Sequence, residues 1–111
     1  MEQKQINFLY DEALHLWGEP SQIDLLEEEC AELILALKHL KRNKPDSVAA
    51  LHAVAGELAD VQIMIEQISR MCAISTTVAA QRQLKLERLQ DLVLKAQEDR
   101  ATRVAEVGGL R

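Results

Sequence analysis

Five acidic residues stand out in this 111-residue chain by type and spacing: Glu28, Glu29 and Glu32, then Glu57 and Asp60. The chain carries 18 acids against 13 bases, a formal charge of −5, and these five account for the whole excess. The negative charge is therefore local. Two like charges 4 Å apart repel by about 1 kcal/mol in water and about 4 kcal/mol at an effective dielectric of 20. Several such pairs would remove much of a domain's net stability of about 5–15 kcal/mol. A divalent cation resolves the conflict. Carboxylates without His or Cys suit a hard ion, Mg²⁺ or Mn²⁺. Iron in helical bundles uses Glu-x-x-His pairs, and neither acidic pair here has His at that position. A local acidic cluster also disfavours binding to a nucleic-acid polymer, which needs a basic patch. The competing reading is a solvated acidic face on a helix.

The elements that must position these acids are helices. Leu, Ala, Glu, Gln and Lys dominate, and only Phe8, Tyr10 and Trp17 are aromatic, so a β-sandwich or barrel is excluded. The periodicity predicts four helices. The first covers residues 3–17, with Ile6, Leu9, Ala13 and Leu16 facing in. Gly18-Glu19-Pro20 turns into the second, residues 20–42, whose seam is Ile23, Leu26, Cys30, Leu33, Leu37 and Leu40. Asp46 or Ser47 caps the third, which runs to about residue 72 with Leu51, Val54, Leu58, Val61, Ile65, Ile68 and Cys72 facing in. Residues 74–77 connect it to a fourth helix over 77–100, with Val78, Leu89, Val93 and Ala96 inward. Short loops imply an all-α, antiparallel four-helix bundle. Residues 1–102 form one domain and 103–111 a loose tail. No internal repeat stands out.

On helical wheels of about 100° per residue, Glu29 and Glu57 fall about 60° from their seam centres, and Glu32 and Asp60 about 120°. Antiparallel packing would let four carboxylates converge. There is no run of eighteen apolar residues, so no membrane span is expected. Met1-Glu2-Gln3-Lys4-Gln5 is not a signal peptide. Cys30 and Cys72 lack CxxC spacing and read as buried free thiols of a cytoplasmic protein.

Glu28-Glu29-Cys30-Ala31-Glu32, then 24 residues, then Glu57-Leu58-Ala59-Asp60, resembles the EExxE…ExxD signature of the MazG-like, all-α nucleoside triphosphate pyrophosphohydrolases. Trp17-Gly18 and Gln22, the stretch Ala59-Asp60-Val61-Gln62-Ile63-Met64-Ile65-Glu66-Gln67 and Lys85-Leu86-Glu87-Arg88-Leu89 are also similar to that group, so the likeness covers residues 14–92. It implies Mg²⁺-dependent hydrolysis of a (deoxy)nucleoside triphosphate to the monophosphate and pyrophosphate. It also implies that Glu29, Glu32, Glu57 and Asp60 ligate metal and that Glu28 orients or activates water. The family fold is a helical bundle that assembles as a homodimer or homotetramer.

The triphosphate is an anion, so cations should complete the site. Lys85 lies within about 40° of the seam set by Leu89, and a lysine there needs a partner. It is a candidate phosphate ligand, with Arg88 beside it; the alternative is a snorkelling lysine at the bundle edge. Trp17 is a candidate for stacking on the base or for plugging the bundle end. Gln22 is a candidate for a base edge or an ordinary surface glutamine. Gly56, inside a helix among alanines, suggests a close contact between subunits. Two competing functions remain: phosphoribosyl-ATP pyrophosphohydrolase of histidine synthesis, and a non-catalytic helical oligomer that regulates or scaffolds.

Overall fold

A computed structural model describes residues 1–43 and 47–109. The order is α1 (Gln3–Trp17), α2 (Glu19–Arg42), α3 (Val48–Met71) and α4 (Ser75–Gly109), with no strand among the described residues. Asp46, one of the two expected caps of α3, and Leu110 and Arg111 of the expected tail lie outside them. Ser47 does cap α3: its Oγ accepts from the Ala50 amide at 3.3 Å. Gly18 separates α1 from α2 at φ +83°, a conformation that suits a residue without Cβ.

The chain divides into two compact units, residues 1–75 and 76–111. In the first unit α2 and α3 pack together, with α1 against both. The seam between α2 and α3 differs from the apolar pattern by one position per heptad. On α2 the covered residues are Gln22, Leu26, Glu29, Leu33, Ala36 and Leu40, at alternating steps of four and three. On α3 the matching positions are Ala50, Val54, Glu57, Val61, Met64, Ile68 and Met71, with Gln67 and Ser69 also buried near its end. Ile23, Leu37, Leu51, Leu58 and Ile65, expected inside, are 39–46% exposed. Cys30 and Cys72 are free thiols, as expected, but exposed. The physical reason is the width of the apolar stripe on each helix. It is broader than one neighbouring helix covers, and the pair packs on the edge that includes the acids. The buried apolar core within the described residues is therefore small: Ala36, Val54 and Met64.

Hydrogen bonds hold α1. Tyr10 Oη donates to Glu66 Oε2 at 2.7 Å, and Arg70 donates twice to Asp11 at 2.8 and 2.9 Å. Burial, then the Glu66 bond and charge, push the Tyr10 hydroxyl up to about 12. The Arg70 hydrogen bond holds the Asp11 carboxyl below its ordinary value. Ile6, Tyr10, Ala13 and Leu14 are half-buried, whereas Leu9 and Leu16, expected inside, face out.

α3 ends in a Schellman motif. The Ile74 amide donates to Ser69 O and the Ala73 amide to Arg70 O, with Ala73 at φ 55°. That residue is usually Gly, because a Cβ in the left-handed region costs about 1–2 kcal/mol. The early stop moves the start of the next helix forward to Ser75. At the other end, residues 103–109 continue α4 instead of forming a tail. Thr102-Arg103-Val104-Ala105-Glu106 contains neither Gly nor Pro, so nothing there breaks the helix. Every described α4 residue is exposed, including Val78 at 38%, Leu89 at 54% and Val93 at 46%, which the pattern points inward.

Candidate metal centre

The α2–α3 register is antiparallel. Gln22 meets Gln67, Glu29 approaches Asp60 and Glu32 approaches Glu57, so pairs advance on one helix as they retreat on the other. Glu29 and Glu57 stand in the seam itself, closer to the packed centre than the 60° offset implies. One oxygen each from Glu29, Glu57 and Asp60 lie within 4.8 Å of one another. Glu29 and Glu57 are half-buried, and Asp60 is exposed. Glu32 is exposed beside them and acts on both seam glutamates by its charge.

Burial raises the Glu29 carboxyl above its ordinary value, and the charges of Glu32, Asp60 and Glu57 raise it further. Burial also raises Glu57, followed by the charges of Glu32 and Asp60. The Oε2 atoms of Glu29 and Glu57 are buried without a hydrogen-bond partner in the protein. An orphaned carboxylate oxygen in a packed seam is costly, and a cation satisfies it. All the donors are hard oxygens, so the set fits Mg²⁺ or Mn²⁺ better than a softer metal.

A groove of about 380 Å³ lies along the first turns of α2, lined by Trp17, Ser21, Gln22, Asp24, Leu25 and Glu28. Glu28 belongs to the groove, while its neighbour Glu29 belongs to the acidic cluster. Trp17 is 64% exposed, so it plugs nothing within this unit. Gln22 is not a surface residue: it is 2% exposed, and its Oε1 accepts from Gln67 Nε2. Gln67 is the residue that the pattern overlooked. Its signal was available, because Gln22 and Gln67 each sit seven residues, about two helical turns, from Glu29 and Asp60 respectively.

Lys85 and Arg88 lie on α4, in the second unit, and are exposed. Lys85 shares a concave stretch of α4 with Val78, Arg82 and Leu89. His15, His39 and His52 are exposed and take no part in the acidic group. A Cβ added at Gly56 would meet nothing within 4 Å, so no contact inside the chain requires that glycine. Comparison with known proteins finds no matching family model, no matching curated protein and no matching solved structure.

Proposed function

We propose that this chain is a Mg²⁺-dependent pyrophosphohydrolase of (deoxy)nucleoside triphosphates, a MazG-like helical bundle that releases the monophosphate and pyrophosphate. Mn²⁺ is the expected substitute. The observation that carries the reading is the pair of seam glutamates, Glu29 and Glu57. Their buried Oε2 atoms lack a protein partner, and they converge with Asp60. A structural seam has no use for two unpaired carboxylates, whereas a metal-dependent enzyme does.

Glu29, Glu32, Glu57 and Asp60 would hold the cation. Bound Mg²⁺ would supply charge neutralisation at the phosphates and lower the pKa of an attacking water. Glu28, one residue from Glu29 in sequence and lining the groove, would orient that water and accept its proton, and Glu29 would assist as well as hold the cation. Trp17 stacks on the base. Gln22, its Oε1 committed to Gln67, offers its NH₂ to a base edge. About 10 Å of helix separates Gln22 from Glu29, a span suited to a nucleoside carrying a phosphate chain.

The uncovered half of the seam supports a homodimer or homotetramer. Ile23, Leu37, Leu51, Leu58 and Ile65 form apolar edges that a second copy would cover. α3 is also long and apolar enough to cross a membrane by length and composition, with mean hydropathy 1.4 over eighteen residues and 17% of that window buried. Glu57 and Asp60 lie in this helix, and charged groups at mid-bilayer are expensive. An oligomer of a cytoplasmic protein therefore accounts for the apolar surface better than a bilayer does.

The test is pyrophosphate release across a nucleotide panel that includes phosphoribosyl-ATP, with and without Mg²⁺. Release from nucleoside triphosphates, abolished in Glu57→Gln with helicity retained, supports the reading. Preferential turnover of phosphoribosyl-ATP shifts it to histidine synthesis. No release from any substrate, together with a thermal midpoint indifferent to Mg²⁺, leaves a non-catalytic oligomer.

A further inference from the structure

One edge of α4 carries a block pattern of charge. Arg88 and Lys95 come first, then Asp99 and Glu106. At about 100° per residue all four fall in one stripe, roughly 80–120° from the apolar line of Leu89, Val93, Ala96 and Val107. A parallel copy would set this edge against the opposite edge of its partner, where Gln83, Gln90, Gln97 and Ala101 carry no charge, and would leave all four unmatched. An antiparallel copy centred near residue 97 matches both pairs: Lys95 meets Asp99 of the second copy, and Arg88 meets its Glu106. The two-fold axis repeats each pair.

Three further observations favour that partner. The α4 residues are exposed throughout. Among the described residues none of the four charges forms an ion pair, and the one that forms is Arg70 with Asp11. The region symmetric about residue 97 runs from 85 to 109, about 37 Å of helix or more than three heptads, which suffices for a two-helix seam. Arg100 and Arg103 interrupt the apolar line. Their aliphatic stems can cover Val93 and Ala96 of the second copy while their heads reach water. The apolar contact is consequently weak, and the charged edge decides direction and register.

We propose that α4 is an interaction surface for α4 of a second copy of this chain, antiparallel and held in register by Lys95–Asp99 and Arg88–Glu106 pairs between copies. This does not depend on the enzymatic reading.

The test uses the full chain and the inner pair. Lys95→Asp sets a new carboxylate against Asp99 of the second copy, and Asp99→Lys sets a new ammonium against its Lys95. Each variant should self-associate at least tenfold more weakly than the wild type by analytical ultracentrifugation, with unchanged helical circular dichroism. An equimolar mixture of the two variants should regain the wild-type association, because every cross-pair is then of opposite charge. A loss caused by the Lys95–Asp99 contact within one helix would not recover on mixing, and that result overturns the proposal. So does a wild-type chain that stays monomeric, binds anionic phosphatidylserine vesicles instead, or associates equally well in both single variants.

Discussion

The α2–α3 seam and α4 treat hydrophobicity in opposite ways. In the seam Gln22 is 2% exposed and Glu29 and Glu57 are half-buried, while leucines and isoleucines of the same helices face outward. On α4 an apolar line of ordinary helical period is uncovered from end to end. Burial in this chain is thus set by which edge of a helix meets a neighbour, and not by which residue most needs cover. A seam that accepts glutamates where leucines were on offer gives up stability.

The largest expected effect on this contrast is catalytic. Glu57→Gln should abolish pyrophosphate release, because it removes a proposed ligand of the cation. The same change should raise the thermal midpoint without metal, because it removes a poorly solvated charge. A lower midpoint would mean that Glu57 is stabilised by the seam after all. Next, Mg²⁺ at a hundredfold excess over its Kd should stabilise the first unit by about 2.7 kcal/mol. Hydrogen exchange should show that gain in α2 and α3 amides and none in α4.

Gln67→Leu should cost about 1–3 kcal/mol in denaturant unfolding, because it strands the Gln22 carbonyl. The double variant Gln22→Leu/Gln67→Leu should return close to the parent. If the double variant is as damaged as the single, the pair is not what fixes that end of the seam. Ala73→Gly should stabilise by about 1 kcal/mol, relieving the left-handed Cβ at the end of α3.

The smallest effect is the pH slope. Glu29 and Glu57 titrate from 4.5 in the unfolded chain to higher values when folded. Between those values the native state holds more protons, so metal-free stability falls as pH rises through that window and is level above it. With Mg²⁺ the sign reverses, since the ion binds the deprotonated carboxylates. A metal-free protein that gains stability over the same range would contradict the strained seam.

Four helices, the Ser47 cap and the turn at Gly18 were readable from residue types alone, because each has a local cause. The acidic residues were readable as a set, because their matched spacing survives any choice of register. What was not readable is the edge of the stripe that packs. Leu26, Leu33 and Leu40 belong to both possible seams. The choice between Ile23, Cys30, Leu37 and Gln22, Glu29, Ala36 turns on the mating of whole helices, which no single residue encodes. Hydropathy favoured the former, and the structure takes the latter. Gln67 and the exposure of Trp17 followed from that choice. Lys85 was chosen on a seam angle, with Arg88 three residues on, and that angle on α4 buries nothing.

The manner in which α1 is attached has its own consequence. Trp17 forms one wall of the groove from the end of α1, and the ties of that helix to α3 include an exposed ion pair and a phenol–carboxylate bond. Bonds of that kind weaken in concentrated electrolyte, while the packing between α2 and α3 does not. Ionic strength thus becomes a dial that loosens the aromatic wall and leaves the carboxylate frame standing.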